Sequence, residues 1–94
     1  MSNVRKIIHL DPPAELDLST IDEFAEKVDE ALAQAPDVLV VELGGVEFVG
    51  VVGVEYLRDV QDVLAQQGAR LRVQHADWHI RRLLELTGRD FESS

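Results

Sequence analysis

Apolar side chains along this chain change their spacing several times, and each change marks an element. Val4 to Leu10 (VRKIIHL) is rich in β-branched residues and stops at Asp11-Pro12-Pro13, where the prolines remove backbone donors. A strand is expected there, and a turn region after it through Ala14-Glu15-Leu16-Asp17. Thr20 followed three residues later by Glu23 has the form of a capping box, and Ile21, Phe24, Ala25, Val28, Ala31 and Leu32 then recur at helical spacing. This predicts a first helix that ends before Pro36. Val38-Leu39-Val40-Val41-Glu42-Leu43 is nearly continuous in apolar β-formers, as expected of a strand buried on both faces of a largely parallel sheet. It is predicted to be the central strand.

Gly44 to Gly53 is an apolar stretch punctuated by glycines, after which Val54, Leu57, Val60 and Leu64, with Tyr56 and Val63, mark a second amphipathic helix beginning near Val54. Gly68 closes it. Arg70-Leu71-Arg72-Val73-Gln74 alternates polar with apolar side chains, the period of a half-buried strand. Asp77 can cap a third helix carrying Ile80, Leu83, Leu84 and Leu86, with Gly88 as the residue that ends it. Strands alternating with helices imply βαβ units on one sheet, so residues 1–94 are expected to form a single α/β domain without internal repeats or linkers.

A chain of 94 residues has room for one hydrophobic core. Its 9 basic and 18 acidic residues give a net charge of -9, which repels nucleic-acid phosphates and anionic lipid headgroups at long range. Nucleic acid is therefore excluded as a partner, and a protein partner should present a basic face. Cysteine is absent, which removes disulfides, thiolate nucleophiles and thiolate metal ligands and fits a reducing compartment. The short apolar run near the N-terminus is too brief for a signal peptide or a membrane span, so a cytoplasmic protein without membrane insertion is expected.

Catalytic chemistry is sparse. Between Thr20 and Thr87 there is no serine or threonine, and Ser2, Ser93 and Ser94 lie close to the chain ends, where side chains are rarely held rigidly beside a base. His75 and His79 are four apart but straddle a strand-to-helix turn, and Asp77 between them is already assigned as a cap, so no metal site is expected. His9, Glu42 and Glu47 show no acid–base pattern, and structural roles are expected for all three. Gly44-Gly45 and Gly50-Val51-Val52-Gly53 precede a helix, as phosphate-binding loops do, but match neither a P-loop nor a dinucleotide fingerprint. No enzyme activity and no cofactor are expected.

Three segments resemble one family. Ala14-Glu15-Leu16-Asp17-Leu18 is similar to an early Gly-x-Leu-Asp turn, Val40 to Phe48 to a central strand with its following loop, and Arg82-Leu83-Leu84-Glu85-Leu86-Thr87-Gly88 to a final helix motif. Together they resemble the STAS family, the sulphate transporter and anti-sigma factor antagonist domains. The resemblance implies a mixed sheet of about four strands with helices packed mainly on one side. It also implies a bacterial regulatory module of transcription that acts by partner switching, its partner a kinase-like anti-sigma factor. Some relatives serve instead as accessory subunits of membrane lipid or solute ABC transporters.

The departure from the family falls on the regulatory loop. Where regulated relatives carry Asp-Ser-Ser-Gly, with the first serine phosphorylated by the partner kinase, this chain has Gly50, Val51, Val52 and Gly53. Val51 stands at the serine position, so no phosphorylation is expected there. Exchanging a capping oxygen for an apolar residue typically loses about 1 kcal/mol. Either the valines pack against the domain, or Phe48, Val49, Gly50, Val51, Val52, Gly53 and Val54 form an apolar surface that meets a partner without phosphate control.

Overall fold

The computed structural model describes residues 5–86 and 91–93. Among them run β1 (Ile7–Leu10), β2 (Glu15–Leu16), α1 (Ile21–Leu32), β3 (Val38–Glu42), β4 (Phe48–Val49), α2 (Val51–Gln66), β5 (Arg70–Gln74), α3 (Trp78–Glu85) and β6 (Glu92–Ser93). The main sheet has the order β1-β3-β5-β6, and β2 pairs with β4 in a separate two-stranded ribbon. Each crossover in the main sheet steps to the next strand in the same direction, and right-handed crossovers that advance one way leave their helices on one face. Leu39, Val41, Leu71 and Val73 accordingly share one core with Phe24 and Val28 of α1, Leu57, Val60 and Leu64 of α2, and Ile80 and Leu84 of α3. The expected α/β architecture is present. Its main sheet has the four strands expected, and every ladder among the described residues is parallel.

The two faces of β3 are buried by different means. Leu39 and Val41 meet the helices, while Val38 and Val40 lie outside that core cluster although each is nearly inaccessible. Register places Val40 between His9 and Arg72, and Val38 between Ile7 and Arg70. Long arginine stems can cover apolar surface while their heads stay wet. Here both heads reach Glu92, at 2.9 Å from Arg72 and 3.6 Å from Arg70.

Several local expectations change. Thr20 does precede α1, but its hydroxyl makes no capping bond. It donates instead to the Glu15 carbonyl at 2.7 Å and accepts from the Asp17 N–H at 3.1 Å, while the Asp17 carbonyl takes the N–H groups of Thr20 and Ile21. The turn is thus closed by backbone, and the capping box does not form. The region expected to be irregular contains β2, because its backbone finds β4, a strand too short to show a period. Helix α2 begins at Val51 rather than near Val54. Asp77 behaves as expected, its carboxylate accepting from the Trp78 N–H at 2.9 Å. Gly68 ends α2 with a φ of +75°, a conformation that glycine adopts without a Cβ penalty. Val4 and Gly88 lie outside the described residues.

Val41→Asp is expected to abolish cooperative thermal unfolding, because an unpaired buried carboxylate costs several kcal/mol out of a total stability of about 5–15 kcal/mol. Val40→Asp, placed between His9 and Arg72, is expected to cost less. Circular dichroism melts of the two variants check this, and a Val41→Asp protein melting close to the parent would make β3 peripheral to the core.

Candidate functional site

The loop before α2 is shaped by an unusually close approach. The Gly50 N–H donates to the Leu16 carbonyl at 2.9 Å, and the Glu47 N–H to the Ala14 carbonyl at 2.7 Å, so β4 is stitched to β2. One turn on, a Cβ at Gly53 would come within 2.7 Å of the Leu16 carbonyl oxygen and 3.0 Å of both Leu16 Cγ and Val49 Cγ1. Only glycine lets the first turn of α2 lie directly on β2. With that helix pressed down, Val49, Gly53 and Val54 are buried, Gly50 and Val52 are half-buried, and Phe48 and Val51 project outward at 52% and 72% exposure.

The seven loop residues are therefore together in space but do not share one face. Phe48 and Val51 form the outward part, and Leu18, on the neighbouring β2–α1 turn, adds a third large apolar side chain at 77% exposure. Leu18 escaped the sequence reading because it belongs to a different loop. The connection between the loops is Asp17: a Cβ on Gly50 would lie 3.6 Å from Asp17 Cβ and 3.5 Å from Phe48 Cε2. Asp17 is itself fixed by Ser19, whose hydroxyl donates to it at 2.6 Å and whose N–H donates at 3.0 Å. The Ser19 hydroxyl, with further bonds from the Ser19 and Thr20 turn, holds the Asp17 carboxyl below its ordinary value against an opposing desolvation effect.

Capping is absent at this end of α2. Gly50 is the N-cap in extended conformation, has no side chain to accept from the helix, and no acidic residue occupies the first turn. Val51 is consequently the first helical residue, not a capping position. Tyr56, one turn further, is half-buried edge-on to Phe24 with ring centroids 6.1 Å apart. Burial, reinforced by Asp29 and Asp59, pushes its phenol up to about 12, so it stays neutral.

A second cluster sits at the carboxyl ends of β3 and β5. His75 Nδ1 lies 2.8 Å and 2.9 Å from the two Glu42 oxygens, which also accept from Gln74 Nε2 at 3.0 Å and the Gly44 N–H at 3.1 Å. The His75 backbone has a φ of +59°, a left-handed conformation stabilised here by side-chain bonding across the strand ends. The Glu42–His75 pair was missed in the sequence because the partners are 33 residues apart and only the β3–β5 register joins them. The Ser19 and Thr20 hydroxyls bond within their own turn, to Asp17 and Glu15, and do not reach this imidazole. His79 lies beside Asp77 at 3.7 Å, so the two histidines have separate carboxylates. Among the described residues no three metal-binding side chains converge, and His9 and Glu47 are exposed.

A parallel main sheet with its helices on a single face, joined to a loop that packs on a preceding turn, defines a small α/β domain. The family model of the STAS domain matches residues 2–93, and the chain belongs to this family. STAS domains are in general regulatory or sulfate-transporter-associated binding modules. No curated protein sequence matches the chain. No helix among the described residues is long and apolar enough to cross a membrane.

The Glu42 carboxyl is held below the ordinary 4.5, chiefly by the His75 hydrogen bond, so its contribution is complete above that value and is lost as pH falls through the lowered one. Glu42→Gln is expected to flatten the acid limb of Tm against pH relative to the parent. Superimposable acid limbs would show that the cluster contributes nothing to stability.

Proposed function

We propose that this STAS domain is a regulatory protein-binding module that acts in the manner of an anti-sigma factor antagonist, without the phospho-serine switch. Val51 carries the reading: a large apolar side chain stands 72% exposed at the first position of α2, where a polar residue would cost nothing in packing, and Phe48 and Leu18 are exposed on the adjoining loops. Exposed apolar surface of this kind is favourable when a partner covers it and unfavourable when water does. In this reading Phe48, Val51 and part of Val52 touch the partner, while Val49, Gly53 and Val54 hold the loop in shape from beneath. The -9 net charge favours a partner with a basic face, and a kinase-like anti-sigma factor is the partner class proposed.

Phosphorylation adds roughly -1.5 to -2 charge and would oppose an apolar contact of this kind. With valine at the serine position, binding is constitutive and its control lies in expression or in a separate ligand. The domain sequesters its partner in this scheme and performs no chemistry on it.

Val51→Asp separates the two possible roles of the valine. A carboxylate at the first helical position complements the helix dipole, so stability should be unchanged or raised by about 0.3–1 kcal/mol. Affinity for the protein captured from the cell of origin should fall by several kcal/mol, because the charge is desolvated on binding. Thermal melting and titration calorimetry measure both. A markedly lower melting temperature would make Val51 a packing residue. Unchanged stability and affinity would put the contact surface elsewhere, and capture of a membrane transport ATPase would replace the anti-sigma partner with a transporter complex.

A further inference from the structure

The exposed end of α2 continues into a groove against α3. Val51 and Val54 form one wall and Leu83 and Leu86 the other, and Leu86 is 73% exposed although it continues the apolar spacing of α3. The groove has a volume of about 200 Å³ and its lining is mainly apolar, with Glu55 and Arg58 at its border. Those same two residues also line a second hollow of about 250 Å³, whose other walls are Asp59 and Asp62. The surface therefore passes within about one helical turn from apolar to a place where three carboxylates face one guanidinium.

We propose that this composite surface takes an amphipathic helix of the partner protein, with one large apolar side chain seated between α2 and α3 and a lysine or arginine about one turn away over Glu55, Asp59 and Asp62. The assignment rests on the binding-module reading above and adds the chemistry of the segment that is bound. Charge complementarity selects the occupant. An acidic or neutral helix would bring its polar flank against net negative charge on a protein already at -9, whereas a basic one gains both the apolar anchor and the ion pairs. A helix supplies the spacing, since residues three to four apart lie on one face and can occupy two adjoining hollows.

The probe is an amidated peptide of about fifteen residues, long enough to be helical, made of leucine and lysine with the leucines on one face. The controls are a peptide of equal composition with leucines spread around the helix, and one with glutamate replacing lysine. Amide chemical shifts of the labelled domain should move in the segments around Val51–Arg58 and Leu83–Leu86 for the first peptide. Leu86→Lys should weaken that binding by at least about tenfold with little change in Tm, since Leu86 is exposed, and Glu55→Lys combined with Asp59→Lys should weaken it too. Raising the salt concentration should reduce affinity without abolishing it. Equal binding by the scrambled or glutamate peptide, shifts mapping elsewhere, or an unaffected Leu86→Lys variant would overturn the proposal. With the captured partner, loss of binding in Val51→Asp but not in Leu86→Lys would refute the groove and leave the loop as the contact. Loss in neither would overturn both the groove and the loop as contact surfaces, whereas failure to capture any protein partner would refute the binding-module reading itself.

Discussion

The contact between Gly53 and the backbone of Leu16 is the constraint from which the exposed surface follows. A separation at which a Cβ would stand 2.7 Å from a carbonyl oxygen locks the first turn of α2 onto β2. Once it is locked, Val54 and Leu57 lie in the core while Val51, in the first turn, stays in solvent, and the pleat of β4 buries Val49 and exposes Phe48. The pairing of β2 with β4 then brings the Asp17–Leu18 turn alongside. Leu18, Phe48 and Val51 are thus left exposed on the two neighbouring loops that this pairing holds.

The rest of the molecule is a platform for that arrangement. A parallel sheet with helices on one face leaves its other face to be covered by side chains, and Arg70, Arg72 and Glu92 serve that purpose over the apolar centre of β3. The carboxylates of α2 lie instead beside the exposed apolar strip. Charge and hydrophobicity are thus arranged together at the end of the molecule where the loop emerges. The Glu42–His75 cluster ties the start of the β5–α3 turn to the end of β3. Ile80 and Leu84 seat α3 in the core, and its Leu83 and Leu86 complete the groove.

Elements with a long, strong period were legible in the sequence. The burial of Phe24, Val28 and Ala31 on α1, the doubly buried β3, the alternation of β5 and the Asp77 cap all follow from spacing alone. What escaped was set by contacts distant in sequence. Two-residue strands such as β2 and β4 carry no period and exist only as a pair. Thr20 had a choice of partners for its hydroxyl, and the neighbouring turn supplied better ones than the helix. The start of α2 was misplaced by three residues because a glycine-rich apolar stretch looks the same in a loop and in a helix until the position of β2 is known. For the candidate loop, the residue types were readable in the sequence, but the inward or outward direction of each side chain and the exposure of Leu18 and Leu86 were not.

Hydrogen–deuterium exchange of the domain alone and with its captured partner in the presence of ATP, followed by phosphopeptide mapping of the same sample, reads contact at the loop and phosphorylation of it together. New protection is expected at Phe48–Val52, with no phosphate anywhere from Phe48 to Tyr56. Unchanged exchange at Phe48–Val52, or a phosphate on Tyr56 that releases the partner, would contradict a constitutive contact at this loop.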